Sequence, residues 1–141
     1  MVVTDGDRRA VAELLERFRD AWARLDAETA LSCFAQDAGT IVIGTDAGEF
    51  WHGYDALVQP FGAMTTAFER AEYAYGVGDP SVEILGDVAW AAGMLHGAFD
   101  TADGRIELPM RMTAVMRRLP DGSWIMRHAH FSVASAEPVD Y

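Results

Sequence analysis

Between Val11 and Leu25 the apolar residues Val11, Leu14, Leu15, Phe18, Trp22 and Leu25 recur at intervals of three and four, and Arg8, Arg9, Glu13, Glu16, Arg17, Arg19 and Asp20 fill the rest of each turn. That spacing predicts an amphipathic helix with one stripe against a core. Asp5 and Asp7 stand before it, where carboxylates cap free amides and complement the helix dipole. A short second helix is predicted from Ala27 to Phe34 with Asp26 as its cap. The run Gly39 to Gly44 then reads as a strand, followed by a turn at Thr45-Asp46-Ala47-Gly48 and a brief extended piece, Glu49-Phe50-Trp51.

The helical period returns from Tyr54 through Leu57, Val58, Phe61, Met64 and Phe68, with Pro60 inside it removing one backbone donor and predicting a kink. Four extended stretches follow: Tyr73 to Leu85, Val88 to Phe99, Arg105 to Leu119 and Trp124 to Ser135. Their joins, Gly86-Asp87, Ala102-Asp103-Gly104 and Pro120-Asp121-Gly122, are short enough to link antiparallel neighbours. Helices first and a meander of long strands afterwards is an α+β layout. Because side chains alternate across a strand, Trp124, Met126, His128, His130 and Ser132 are expected on one face of the last strand. The same alternation groups Trp90, Ala92, Met94 and His96 on one strand, and Arg111, Thr113, Val115 and Arg117 on the next. A single bulge would invert the faces downstream of it.

At 141 residues, half of them hydrophobic, the chain is expected to form one domain, with its core between about 7 and 135 and loose ends. Twenty-two acidic against 11 basic residues leave a net charge of −11, which opposes nucleic acid and anionic membrane surfaces. All the basic residues are arginines, so imine chemistry through a lysine is excluded. The lone Cys33 cannot form an internal disulfide. With no apolar run near the roughly 20 residues a bilayer requires, and no signal-peptide pattern at the start, a cytoplasmic protein is expected.

Several pieces carry a family resemblance: Gly44-Thr45-Asp46 leading to Glu49-Phe50-Trp51-His52-Gly53, Gly86-Asp87-Val88-Ala89-Trp90, Arg111-Met112-Thr113, and Trp124 through Ser132. Together with the element order they resemble the SnoaL-like branch of the nuclear transport factor 2 superfamily. The segments Asp121 to Trp124 and His128 to Ser132 are also similar to the association domain of calcium/calmodulin-dependent protein kinases. The resemblance implies a cone in which N-terminal helices pack on a strongly curved, mostly antiparallel sheet. It also implies an apolar pocket and, in many members, a homodimer through the outer sheet face. The fold hosts isomerases, cyclases, dehydratases and catalytically silent modules, so it leaves activity open.

On that footing the candidate catalytic residues are His128 and His130, each also readable as a ligand-orienting donor or a structural histidine. Candidate ligand-binding residues are Trp51, Trp90, Met94, His96, Arg111, Thr113, Asp46 and Tyr54. Tyr54, Tyr73 and Tyr75 carry phenols able to polarise a carbonyl. Catalytic members of the superfamily usually place an aspartate in the cavity, yet the last two strands offer no carboxylate between Pro109 and Pro120 or between Trp124 and Ala136. Proton abstraction would then fall to His128, His130 or His96, with Asp46, Asp100 or Glu107 able to serve only if its loop or strand end reaches inward. No metal site and no cofactor are assigned. The expected partner is a small hydrophobic or weakly acidic molecule together with a second copy of the chain. Three functions stay open: a small-molecule-binding protein, an isomerase-, cyclase- or dehydratase-type enzyme, and a non-catalytic association module.

Overall fold

A computed structural model describes residues 2–141. The first helix, α1 (Asp5–Ala23), begins at Thr4, whose hydroxyl accepts the Asp7 amide at 3.1 Å while Asp7 Oδ2 accepts the Thr4 amide at 2.9 Å. This reciprocal cap satisfies two amides that a bare helix end leaves unpaired. Asp5 and Asp7 therefore lie inside the first turn rather than ahead of it. Asp26 caps α2 (Ala27–Ser32) by accepting the Thr29 amide at 3.0 Å. That helix stops two residues short of Phe34 because the chain is recruited to the last strand, with Met126 N–H donating to Cys33 O at 2.8 Å and Ala35 N–H to Met126 O at 2.9 Å.

The remaining elements are β1 (Ile41–Ile43), β2 (Phe50–His52), α3 (Asp55–Thr66), β3 (Arg70–Tyr75), β4 (Ser81–Leu85), β5 (Val88–Thr101), β6 (Gly104–Arg118) and β7 (Trp124–Ser132). Helix α3 runs through Pro60. The sheet order is β2-β1-β7-β6-β5-β3, with β4 also on β5, and the β1–β7 pair is parallel while the others are antiparallel. The single strand expected from Tyr73 to Leu85 is two strands on the same edge of β5. Between them Asp79 Oδ2 accepts the Met94 amide at 2.9 Å, so a carboxylate replaces the missing ladder carbonyl.

The concave face carries Ala89, Ala91, Leu95 and Phe99 of β5 and Met110, Met112, Ala114 and Met116 of β6, all buried. Helix α1 covers that face with Val11, Leu14, Leu15, Phe18 and Trp22, and α3 adds Leu57 and Phe61. Each large side chain fully removed from water here contributes about 1.5–3 kcal/mol. The alanines matter because a small side chain lets a helix approach the sheet closely.

Alternation groups the residues of β5 and β6 correctly but on the face away from the helices, and on β7 the grouping itself fails. On β5 and β6 the inward residues are Ala89, Ala91 and Leu95, and Met110, Met112 and Ala114. Trp90, Met94, His96, Arg111 and Thr113 accordingly project from the convex face, where Trp90 is 44% and Met94 48% exposed. On β7 the reason is a bulge. Val115 pairs with His128 but Met116 pairs with Met126, leaving Arg127 as the extra residue. Trp124 and Met126 point inward before it, and Ala129 and Phe131 after it. His128, His130 and Ser132 are thereby turned onto the convex face, beside Val115, Thr113 and Arg111.

Candidate functional site

An apolar cavity of about 560 Å³ remains between the helices and the part of the concave sheet that they do not fill. Its walls come from Phe18 and Trp22 of α1, Phe61 and Met64 of α3, Leu95 and Phe99 of β5, Ile106, Leu108 and Met110 of β6, and Phe131 of β7. Trp51, Phe68 and Tyr73 complete them, and the β1–β2 turn contributes Gly44, Thr45, Asp46 and Glu49.

The aromatic residues hold one another in place. Phe18 meets Phe131 with ring centroids 6.0 Å apart, Trp22 meets Phe61 at 5.0 Å, and Trp51 meets Phe61 at 6.5 Å. On the opposite wall Phe68 stacks on Phe99 at 4.5 Å and Tyr73 meets Phe99 edge-on at 5.3 Å. Mutual packing of this kind adds to burial and fixes ring orientation, so the cavity is bounded by rigid flat surfaces.

The polar complement is small. Burial pushes the Tyr73 phenol far above its ordinary value, so it stays protonated and can donate a hydrogen bond. Tyr75, one period further along β3, is already committed: its hydroxyl donates to Leu15 O at 3.0 Å and Arg19 lies over its ring at 5.5 Å. At the turn, Glu49 Oε1 accepts the Asp46 amide at 2.8 Å, which ties two carboxylates into one loop.

Of the residues nominated from sequence, Trp51 and Asp46 line this cavity. Tyr54 begins α3, donates its amide to Asp37 O at 3.0 Å and packs against the core, apart from the lining. Trp90, Met94, His96, Arg111, Thr113, His128 and His130 lie on the other side of the sheet. There Arg111 Nε donates to Ser132 Oγ at 3.0 Å, and His96 Nε2 stands 3.9 Å from Glu107 Oε1. Burial and the neighbouring His130 push the His128 imidazole below its ordinary value.

Phe99, Leu95 and Met110 were missed as site residues, and Tyr73 was considered only as a phenol able to polarise a carbonyl, although the signal of all four is present. Charged Arg70 and Glu72 mark the outer face of β3 and leave Ala71, Tyr73 and Tyr75 inward. Arg105, Glu107, Arg111 and Arg117 do the same for β6. Polar residues outward is the more reliable rule for a half-covered antiparallel sheet, and bulk is the less reliable one.

Helices seated in a curved sheet around an apolar hollow define the nuclear transport factor 2-like cone. Within it the chain belongs to the SnoaL-like domain family, whose model matches residues 11–136. A nuclear transport factor 2-like superfamily protein from Salmonella enterica serovar Typhimurium has the same fold at 18% identity, with a TM-score of 0.85 and 97% of each chain covered. A candidate dehydratase of that family from Streptomyces avermitilis gives 22% identity and a TM-score of 0.82, covering 94% of this chain and 99% of the other. A candidate calcium/calmodulin-dependent protein kinase II association domain from Xanthomonas campestris gives 21% and 0.78, covering 97% and 94%. No curated protein matches the chain. Likeness at these identities carries the fold and leaves the chemistry to the site itself.

Proposed function

We propose that this chain is a small-molecule-binding protein whose cone cavity takes a hydrophobic ligand. One observation carries the reading: a well-formed hollow of about 560 Å³, in the size range of ligand sites, walled by aromatic rings and relieved by a few polar groups at one end. A module built only for association has no use for such a space, because an unfilled apolar cavity forfeits packing. Proton transfer on a bound ligand would fall to Asp46, Glu49 or Tyr73, since no histidine lines the cavity. That separates this site from the histidine-based enzyme considered from sequence.

The convex face supports the second half of the proposal, a homodimer. Trp90, Met94, Val88 and Phe50 are each more than 40% exposed there, and Ile41, Ile43 and Val115 lie between them. An apolar stretch of this extent on one sheet face is the signature of an interaction surface. We read the protein as one cytoplasmic domain, in keeping with a single cysteine and helices none of which is long and apolar enough to cross a membrane.

Trp22 and Trp51 report on the cavity directly. Titration with a panel of hydrophobic aromatic compounds is expected to quench their emission and raise the melting temperature, as ligand binding to the native state must. The response should persist in His130→Ala and Arg111→Ala, whose side chains lie on the far face. A panel that moves neither signal would end the ligand-binding reading.

A further inference from the structure

Among the described residues no hydrogen bond engages the Tyr73 hydroxyl, which is not one of the fully buried unpaired side-chain atoms and belongs to a residue lining the cavity, whereas the hydroxyl of Tyr75 on the same strand donates to Leu15 O. Burial is the sole influence on the Tyr73 phenol, with no charge or hydrogen bond acting on it. A hydroxyl on the cavity wall with no partner in the protein is free to donate to an acceptor supplied by a ligand. Tyr73 is held from behind by Phe99, whose own ring is stacked on Phe68, so its hydroxyl is presented in a defined direction.

The charge at the cavity has one sign. Asp46 and Glu49 belong to the lining, and no arginine or histidine does. Arg111, the cation expected to receive an acid, is bonded to Ser132 on the opposite face. An anionic ligand would therefore lose its hydration in an apolar hollow with no countercharge, against a lining that carries two carboxylates.

We infer that Tyr73 is the specificity-determining residue of this cavity, donating to an acceptor on an uncharged, flat aromatic ligand, while Asp46 and Glu49 turn acids away. The inference rests on the ligand-binding reading above and replaces the weakly acidic ligand expected from sequence with a neutral one.

Three probes of one shape separate the contributions: 2-acetylanthracene, 2-ethylanthracene and anthracene-2-carboxylate, each titrated against the full chain by fluorescence. Wild-type protein is expected to bind the ketone about 3–10-fold more tightly than the hydrocarbon, the worth of one hydrogen bond. Tyr73→Phe should bring that ratio to one while leaving hydrocarbon binding unchanged, with near-ultraviolet circular dichroism confirming the fold. The carboxylate should bind most weakly, and the double variant Asp46→Asn/Glu49→Gln should narrow the gap between carboxylate and ketone several-fold. A ratio of one in the wild type, or a ratio preserved in Tyr73→Phe, overturns the role of Tyr73. Carboxylate binding equal to that of the ketone overturns the charge selection. Failure of all three probes to bind the wild type removes the ligand-binding reading itself, a different outcome from either.

Discussion

The indole Nε1 of Trp124 donates to Oδ1 of Asp7 at 3.2 Å, joining residues 117 apart in the chain. The other carboxylate oxygen of Asp7 faces Arg118 Nη2 at 3.1 Å, and the Arg118 guanidinium lies 5.2 Å from the Trp124 ring centroid. Asp7 also closes the cap of α1, so one buried carboxylate ties the first helix to the turn end of the β6–β7 hairpin. That tie sets how α1 sits on the sheet, and therefore how much of the concave face stays open as cavity.

Trp124→Phe keeps the ring and removes the donor, so it should cost about 1–2 kcal/mol, read as a lower urea midpoint with an unchanged slope. Asp7→Asn should cost more, because Arg118 then loses its closest counter-ion in a site where its side chain is 14% exposed. The Thr4 amide first, then Trp124 and Arg118, hold the Asp7 carboxyl below its ordinary value of 3.8. Its contribution is therefore present above that value and is lost as the pH falls further. The acid limb of the stability curve should be flatter in Asp7→Asn than in the wild type.

Gly97 of β5 faces the core, and a methyl group there would lie 2.8 Å from Phe99 Cζ and 3.1 Å from Met110 Cε. Both are cavity walls. Gly97→Ala should push the Phe99 ring into the hollow, destabilise the fold by about 1–3 kcal/mol and weaken binding of any cavity ligand. Ligand affinity equal to wild type would show that the guest does not reach this wall.

On the convex face, Trp90→Glu introduces a charge into the exposed apolar surface. The expected result is a monomer by light scattering with cavity binding intact, because the two faces share no side chains. A wild-type protein already monomeric at high concentration would dispose of the homodimer.

His128 makes stability depend on pH. Burial first, and then His130, lower its affinity for a proton, opposed by a backbone group of Ile41. The groups around it on the convex face are His130 on its own strand, Arg111 and Arg117 on β6, and His52 on β2, with Val115 and Ile41 directly alongside. No carboxylate among these offsets an imidazolium. The neutral form is the native one, so the contribution is complete above about pH 6.5 and declines as the pH falls through that value. Urea midpoints at pH 7.5 and 5.5 should differ less in His128→Gln than in the wild type. An equal difference in both proteins would assign the pH response to other groups.

Much of the architecture was legible beforehand. The three-and-four spacing of Val11 to Trp22 is that of α1, Asp26 caps α2, and the glycine turns at Gly86, Gly104 and Gly122 join the strands, each with the positive φ that favours glycine. Trp51 and Asp46 line the cavity. His128 and His130 do not, and the cause is local: Arg127 is accommodated as a bulge, its guanidinium 3.2 Å from Asp37 and close against Gly39.

Sequence alone determined which segments are helix and strand, because those periods are written in neighbouring residues and need no distant partner. It also determined that the charge is acidic and that the fold is a cone with helices on a curved sheet. Tertiary structure decided which face of each strand looks inward, since one residue too many in β7, read only against its pairing with β6, reverses every side chain beyond it. It decided too that the helices leave part of the concave face hollow, with Tyr73 in the lining. A cavity is the space that many distant residues decline to fill, and no stretch of neighbouring residues encodes it.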